Sequence, residues 1–560
     1  MKSYITRNGL VRKLLLSTLL LMPLAPGKSS PVMAQYISSN NSNEAATITM
    51  PFDDISTSYA KESIINMYRK GYLAGTDAKH FSPYAPVTRA EWTTIINRIL
   101  QLQGVHASVP MYRDVKQGAW YYPQIQAAAQ LGIVQGASAS FFYPQQPIRR
   151  QEAAVILNRL LPASTDGSSI VNICPHYHDD TNISKWAQDA VCSVSSRHWM
   201  AGHNGYFYPQ AVLTRQEAAV LLERVMSTVS SNSNSVSNSA ASPIQLGWQY
   251  NQSTEAYEHS VMNSNINTLS PRWFYTEKNG QLANHADLNL VAWASQHNKQ
   301  LWPMLGNHSD ASLTHDLLNS PSQVAALIQQ ITDAADAYGL NGIVMDFENV
   351  NAEDRQQLTA FVRNLSAQLH EQGAILAICV SPDQGSEWTA AFDYRALGSS
   401  TDYIILMGYD EHWAGRADPG SVSSLPWLRQ GLERLLASVP TDQIILGLPL
   451  YTRDWAVTPA EATAFVTDIT LNEQTLRLPL MTGRLYWNEA LGQYQGDYMV
   501  KTQKHKLWLE ESRSLSLKYM LGTEAGIRGF AYWYTGAAGD EIWTSLRNAQ
   551  TFADRRFIAP

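Results

Sequence analysis

Asn341-Gly342-Ile343-Val344-Met345-Asp346-Phe347-Glu348 is the stretch on which the reading of this chain turns. An apolar run that ends in acids reads as a buried strand whose last residues emerge at a rim. Alternate residues of a strand share a face, so Val344, Asp346 and Glu348 point the same way. Two positions along a strand separate their Cα atoms by roughly 6.6 Å, which lets the two carboxyl groups meet. Carboxyls that close do not both ionise near neutral pH, and one keeps a proton. A protonated Glu at a rim is a general acid. An isolated Asp-x-Glu is more often an ordinary strand end or a cation site, so the neighbouring segments must decide.

Working outward, strand-like runs fall near Ile244–Tyr250, Thr268–Tyr275, Gln300–Leu305, Gly342–Glu348, Ile375–Val380, Tyr403–Tyr409, Ile444–Leu450 and Gly529–Tyr534. Helical patterns fit between several of them, among them Pro321–Tyr338 and Ala352–Gln372. Strands alternating with helices predict an α/β fold, here a (β/α)8 TIM barrel over residues 244–560. Such barrels do their chemistry at the C-terminal ends of the strands. There the sixth strand brings Met407-Gly408-Tyr409-Asp410, followed by Glu411-His412-Trp413, and the eighth brings Ala531-Tyr532-Trp533. A phenol, further carboxylates and an indole thus converge on the rim that carries Glu348.

These segments resemble glycoside hydrolase family 18, whose fourth strand reads Asp-x-x-Asp-x-Asp-x-Glu and whose sixth reads Met-x-Tyr-Asp. The similarity is greater still to its branch of spore-germination and cortex-lytic N-acetylglucosaminidases. Asp-Phe-Glu-Asn-Val at 346–350, Tyr-Asp-Glu-His at 409–412 and Gly-Leu-Pro-Leu-Tyr at 447–451 carry that similarity. So do Trp-x-Glu-Glu-x-x-Ser at 508–514 and the strand that ends at Trp533. The resemblance implies substrate-assisted, retaining hydrolysis, an exception to the scheme with two catalytic carboxylates. Glu348 would be acid and then base, Asp346 would orient the 2-acetamido group, and Tyr409 would hydrogen-bond its carbonyl. Asp410, Met407 and Trp533 would bind the sugar, Trp533 as its floor. No metal or organic cofactor is implied. Two residues depart from the pattern: Asn341 and Val344 stand where the chitinases have the first and second Asp. An inward Val shares no proton, so Asp346 is expected to stay paired with Glu348. The expected substrate is peptidoglycan, with chitin or its oligosaccharides as the alternative. A glycan-binding envelope protein without activity is the reading from a different class.

Ahead of the barrel one pattern occurs three times at a spacing of about 60 residues, a length typical of structural repeats. Phe52-Asp53-Asp54-Ile55, Tyr112-Arg113-Asp114-Val115 and Tyr177-His178-Asp179-Asp180 open the copies. Thr88-Arg89-Ala90-Glu91, Arg149-Arg150-Gln151-Glu152 and Thr214-Arg215-Gln216-Glu217 precede their second helices. Thr and the Glu three residues on make a capping box. Capping needs no Arg, and Arg89, Arg150 and Arg215 are expected to project beside exposed helix-start N–H groups, a place for an anion. The three copies, 50–103, 110–163 and 175–227, resemble S-layer homology domains, a mostly α-helical module. That resemblance implies binding of an acidic secondary cell-wall polysaccharide by the three arginines, with Trp120 and Trp186 as the aromatic of the first helix. The first copy has Ser58-Tyr59 at that place.

Residues 228–243 are rich in Ser and Asn and are expected to form a flexible linker. Residues 1–34 read as a secretory signal peptide: Lys2, Arg7, Arg12 and Lys13 precede the apolar run Leu14–Leu24, and Val32-Met33-Ala34 suits cleavage. A membrane anchor is the alternative, for which that run is short. The expectation is a secreted protein attached to the cell wall, with no membrane span in the mature chain. A net charge of −7 over 560 residues speaks against a nucleic-acid partner. Sixteen Trp and 27 Tyr lean toward carbohydrate, on which flat rings stack. Of three cysteines, Cys174 and Cys192 could pair, and Cys379 reads as a core thiol.

Overall fold

The structure, a computed structural model, describes residues 50–160, 174–232 and 242–553. The expected signal peptide lies outside them, as does most of the expected linker. Residues 228–232, at the linker's start, continue the helix Arg215–Asn232. No helix among the described residues is long and apolar enough to cross a membrane.

Ten strands in chain order build the barrel up to its seventh position. They are β1 (Ile244–Gln249), β2 (Thr268–Pro271), β3 (Phe274–Glu277), β4 (Gln281–Asn284), β5 (Gln300–Leu301), β6 (Met304–Gly306), β7 (Gly342–Asp346), β8 (Ile375–Val380), β9 (Tyr403–Met407) and β10 (Ile444–Pro449). After β11–β15, described below, β16 (Gly529–Trp533) completes it. β16 lies parallel between β10 and β1, which closes the ring. The second and third barrel strands are each broken in two. β2 pairs with β1 and β5, whereas β3 pairs with β6 and with its own hairpin partner β4. Arg272-Trp273 and Trp302-Pro303 occupy the breaks. Proline has no N–H for a ladder, which accounts for the second interruption. The barrel interior is filled by Leu246, Trp248, Trp302, Met304, Val344, Ala377, Cys379, Ile405, Ile445 and Ala531. Val344 is fully buried there, as its alternation with Met345 demands.

Between β10 and β16 stands a sheet that the sequence reading did not contain. β11 (Tyr451–Val457), β12 (Thr463–Thr470), β13 (Tyr486–Asn488), β14 (Gln493–Val500) and β15 (Gln503–Leu509) pair antiparallel in the order β12-β11-β15-β14-β13. One apolar cluster of this sheet, Ile469, Met481, Tyr494, Tyr498, Leu507 and Leu509, also takes in Val109 from just ahead of the second repeat. The contact extends to the helices behind the barrel. Gln130 donates to Ser512 Oγ at 2.7 Å and accepts from Ser545 Oγ at 2.6 Å. Asn548 and the backbone of Gln103 exchange two hydrogen bonds. The repeats therefore pack directly on the barrel.

Each repeat sets two short helices around a turn. The helix Arg89–Leu100 opens with the expected capping box of Thr88 and Glu91. Glu217 caps Thr214 in the same way, and Glu152 accepts from Arg149 N. Asp54, Asp114 and Asp179 each accept two backbone N–H bonds from the Phe-x-Pro turn of their own repeat. A disulfide joins Cys174 to Cys192.

The three arginines do not project as the sequence reading has it. Each reaches into the next repeat in a closed cycle. Arg89 donates to Phe142 O (2.9 Å) and Gln135 O (2.8 Å), Arg150 to Phe207 O (3.0 Å) and Ala201 O (3.0 Å), and Arg215 to Phe81 O (2.7 Å) and Ala74 O (2.5 Å). Glu152, Glu217 and Glu91, the capping acids of the neighbouring repeats, face the same guanidinium groups. Phe142, Phe207 and Phe81 lie beneath them. The helix-start N–H groups are taken as well: Arg89 N and Ala90 N bond to Gln146 O and Pro144 O. The physical reason is satisfaction: a guanidinium brought to a repeat junction finds carbonyls there, and burial without them would be costly. Arg215→Ala takes the guanidinium from those carbonyls and from Glu91, and is expected to destabilise the repeats by about 3 kcal/mol. Thermal unfolding of the full chain checks this, since loss of wall binding alone would leave the transition unmoved.

Trp120 and Trp186 are each 60% exposed, and Tyr59 is 69% exposed at the matching place of the first repeat. Tyr59 and Trp120 sit in the turn just ahead of the first helix of their repeat rather than in it, and Trp186 in the short 3-10 helix Lys185–Ala187 that leads into it.

Candidate active site

Asp346 ends β7, and Glu348 follows two residues later on the rim. Asn307, buried just past β6, fixes that turn. Its Nδ2 donates to Glu348 O at 2.7 Å and its Oδ1 accepts from Glu348 N at 3.0 Å. Nδ2 also bonds Thr314 Oγ1 at 2.8 Å, which holds the amide in this orientation. This clamp was not visible in the sequence, since it joins residues 41 positions apart.

Both carboxyls titrate above their ordinary range. Burial first, and then the charge of Glu348, pushes Asp346 up to about 7. Glu348 is raised by burial and then by the nearby charge of Asp410. Nearby Arg272 opposes both shifts. Oδ1 of Asp346 is buried and has no hydrogen-bond partner. The Cys379 thiol, buried in the core as expected, adjoins Asp346, and burial pushes its own ionisation far up. The carboxyl pair therefore retains a proton near neutral pH, the condition for a general acid.

Tyr409 lies just beyond β9, buried, with its phenol pushed well up by burial. It is thus a neutral O–H donor at any physiological pH. Asp410 is exposed and held from below by Tyr451, whose hydroxyl donates to Oδ1 at 2.5 Å, and by Arg453 at 2.7 Å. Met407 packs against the cluster of Tyr409, Val422 and Tyr451, as does Trp533. Trp533, half-buried at the end of β16, meets Tyr250 at 5.2 Å and Trp248 at 5.7 Å between ring centres. The barrel thus brings together Glu348, Asp346, Tyr409, Asp410, Met407 and Trp533. Glu411 points elsewhere: it accepts from Ser424 N and Oγ and holds the turn before the helix Leu425–Leu436. Among the described residues no group of His, Cys, Asp and Glu could hold a metal ion.

The acids Glu510 and Glu511 of the Trp-x-Glu-Glu segment are structural. Glu510 forms a fully buried ion pair with Lys518, and Glu511 caps the helix Ser512–Glu524.

Residues 51–91, 112–154 and 176–219 match the S-layer homology domain. An uncharacterized glycosylase, YvbX of Bacillus subtilis, is 25% identical over 295 residues, half of this chain and 84% of that protein. The cortical fragment-lytic enzyme of Bacillus subtilis is 26% identical over 51% of this chain and 68% of its own length. The spore cortex-lytic enzyme SleL of Bacillus cereus shares the fold at a TM-score of 0.51, with 22% identity across 56% of this chain and 75% of that one. Residues 226–538, more than half of the sequence, match the glycosyl hydrolases family 18. The chain, with three S-layer homology domains ahead of its barrel, belongs to glycosyl hydrolases family 18.

Proposed function

We propose that this chain is exported by its N-terminal segment, is held at the cell wall by its repeats, and cleaves β-linked N-acetylglucosamine in peptidoglycan. The carrying observation is the carboxyl pair at the end of β7, which keeps a proton where a glycosidic oxygen can receive it. Glu348 protonates the leaving oxygen while the 2-acetamido oxygen of the sugar attacks the anomeric carbon. Asp346, with its unpartnered Oδ1, accepts the acetamide N–H and raises the nucleophilicity of the carbonyl. Tyr409 donates to that carbonyl, and Trp533 supports the sugar face. Water then opens the cyclic intermediate, with Glu348 as base, and the configuration is retained. Val344 brings no third acid, so the proton cycle rests on Asp346 and Glu348 alone.

Peptidoglycan is favoured over chitin by the union of wall-binding repeats with this barrel and by the cortex-lytic names of the relatives. On the repeats, exposed Trp120, Trp186 and Tyr59 offer stacking faces to a wall polymer. The arginines, paired with acids of the next repeat, fix the spacing of those faces. Three such faces on one polymer gain by avidity.

The test is product analysis by mass spectrometry after incubation of the full chain with peptidoglycan and with chitin oligomers, beside Glu348→Gln. Fragments ending in reducing N-acetylglucosamine from the wild type alone are expected. Identical products from both proteins, or none from either, overturn the reading.

A further inference from the structure

Arg272 occupies the break between β2 and β3, at the mouth of the barrel. Its guanidinium carbon lies 5.1 Å from the ring centre of Tyr250, 5.7 Å from that of Tyr275 and 5.9 Å from that of Trp533. Its Nε is buried without a hydrogen-bond partner. Among the described residues its guanidinium makes no hydrogen bond and no ion pair; rings lie against it, and it reaches Asp346 and Glu348 only through its charge. Arg453 and Arg477, by contrast, each sit in ion pairs, Arg453 with Asp410 and Asp468 and Arg477 with Asp454.

A planar cation laid on aromatic faces, partly withdrawn from water and with no anion in hydrogen-bond contact, is prepared for one. It also stands against the chemistry next to it, because a positive charge near Glu348 favours loss of the proton that the acid needs. A neutral sugar polymer gives no reason to keep such a group beside the sugar platform Trp533. A glycan that brings its own carboxylate does: the anion pairs with Arg272 in the fork geometry, and the acid recovers its proton.

We propose that Arg272 binds a carboxylate carried by the glycan beside the cleaved N-acetylglucosamine, and so selects an acidic, muramyl-containing strand over neutral chitin. This rests on the glycosidase reading above. The carboxylate comes either from the lactyl ether of a muramyl sugar or from the peptide attached to it.

The experiment measures kcat/KM of the full chain on four probes. They are chitohexaose, a peptide-free alternating N-acetylglucosamine–N-acetylmuramic acid oligomer, its carboxyl methyl ester, and the peptide-bearing oligomer. The wild type is expected to prefer an acidic oligomer over chitohexaose by about tenfold or more, mainly through KM. A preference for the peptide-free oligomer that its methyl ester abolishes names the lactyl group. A preference for the peptide-bearing oligomer alone names the peptide. Arg272→Met is expected to collapse the preference, and Arg272→Lys, which keeps the charge but not the fork, to keep part of it. The methyl-ester comparison needs no variant, so it stands even where Arg272→Met folds poorly. Equal loss on neutral and acidic probes, or a wild type that does not discriminate, overturns the assignment while leaving the glycosidase intact. Cleavage of none of the four probes overturns the glycosidase reading itself.

Discussion

Glu348→Gln lowers kcat on a peptidoglycan or chitin-oligomer substrate by about 10³-fold, with KM little changed. The amide matches the carboxyl in shape and keeps the Asn307 clamp, which grips only the backbone of residue 348. What it removes is the proton. The same variant loses less on an aryl glycoside whose leaving group departs as an anion, because protonation of the bridging oxygen then matters little. Steady-state kinetics on the two substrate types check the pair of outcomes. Equal losses on both would assign Glu348 to binding or to the fold.

Asp346→Asn is expected to cost about 10²-fold in kcat and to change the shape of the pH profile. In the wild type the pair acts with a single shared proton. Below the lower titration both carboxyls are neutral, and Asp346 no longer pulls on the acetamide N–H. As pH rises past the upper titration the last proton leaves, and the acid is lost. The rate therefore falls on both sides. With Asn at 346 the acid-side fall disappears and only the loss of the Glu348 proton remains.

Stability changes with a definite sign. Asp346 is raised to about 7 in the folded chain, so between the ordinary carboxylate range near 4 and about 7 the folded state holds more protons than the unfolded one. Its contribution to stability falls as pH rises through that window. Asp346→Asn removes the buried charge and gains stability relative to wild type at pH 8, on the order of 2 kcal/mol after allowance for partial exposure, with little gain at pH 4. Melting temperatures of both proteins at the two pH values check it.

What was legible in the sequence followed from local pattern. The strand at 342–346 announced itself by alternation, and all eight barrel strands lie where apolar runs placed them. The interruptions at Arg272-Trp273 and Trp302-Pro303 escaped the reading, because the residues on both sides of each read as strand. The β11–β15 sheet escaped for a different reason. Its strands mix polar and apolar positions and pair over short antiparallel hairpins, so no run stands out of the surrounding loops. The arginines show the limit most clearly. Their recurrence was legible, but the carbonyls that capture them belong to the next repeat, 46 residues away for Arg89 and 141 for Arg215. Asn307 was silent likewise, since its value lies in its clamp on Glu348 across the barrel.

The central claim is that the acetamide of the sugar, not a second carboxylate of the protein, attacks the anomeric carbon while Glu348 gives up its proton. Proton NMR of the reducing end as it first forms tests this most directly. The account predicts the β-anomer at the earliest time points, and no cleavage of the same oligomer once its sugars are deacetylated. A first-formed α-anomer, or equal cleavage of the deacetylated oligomer, would contradict it.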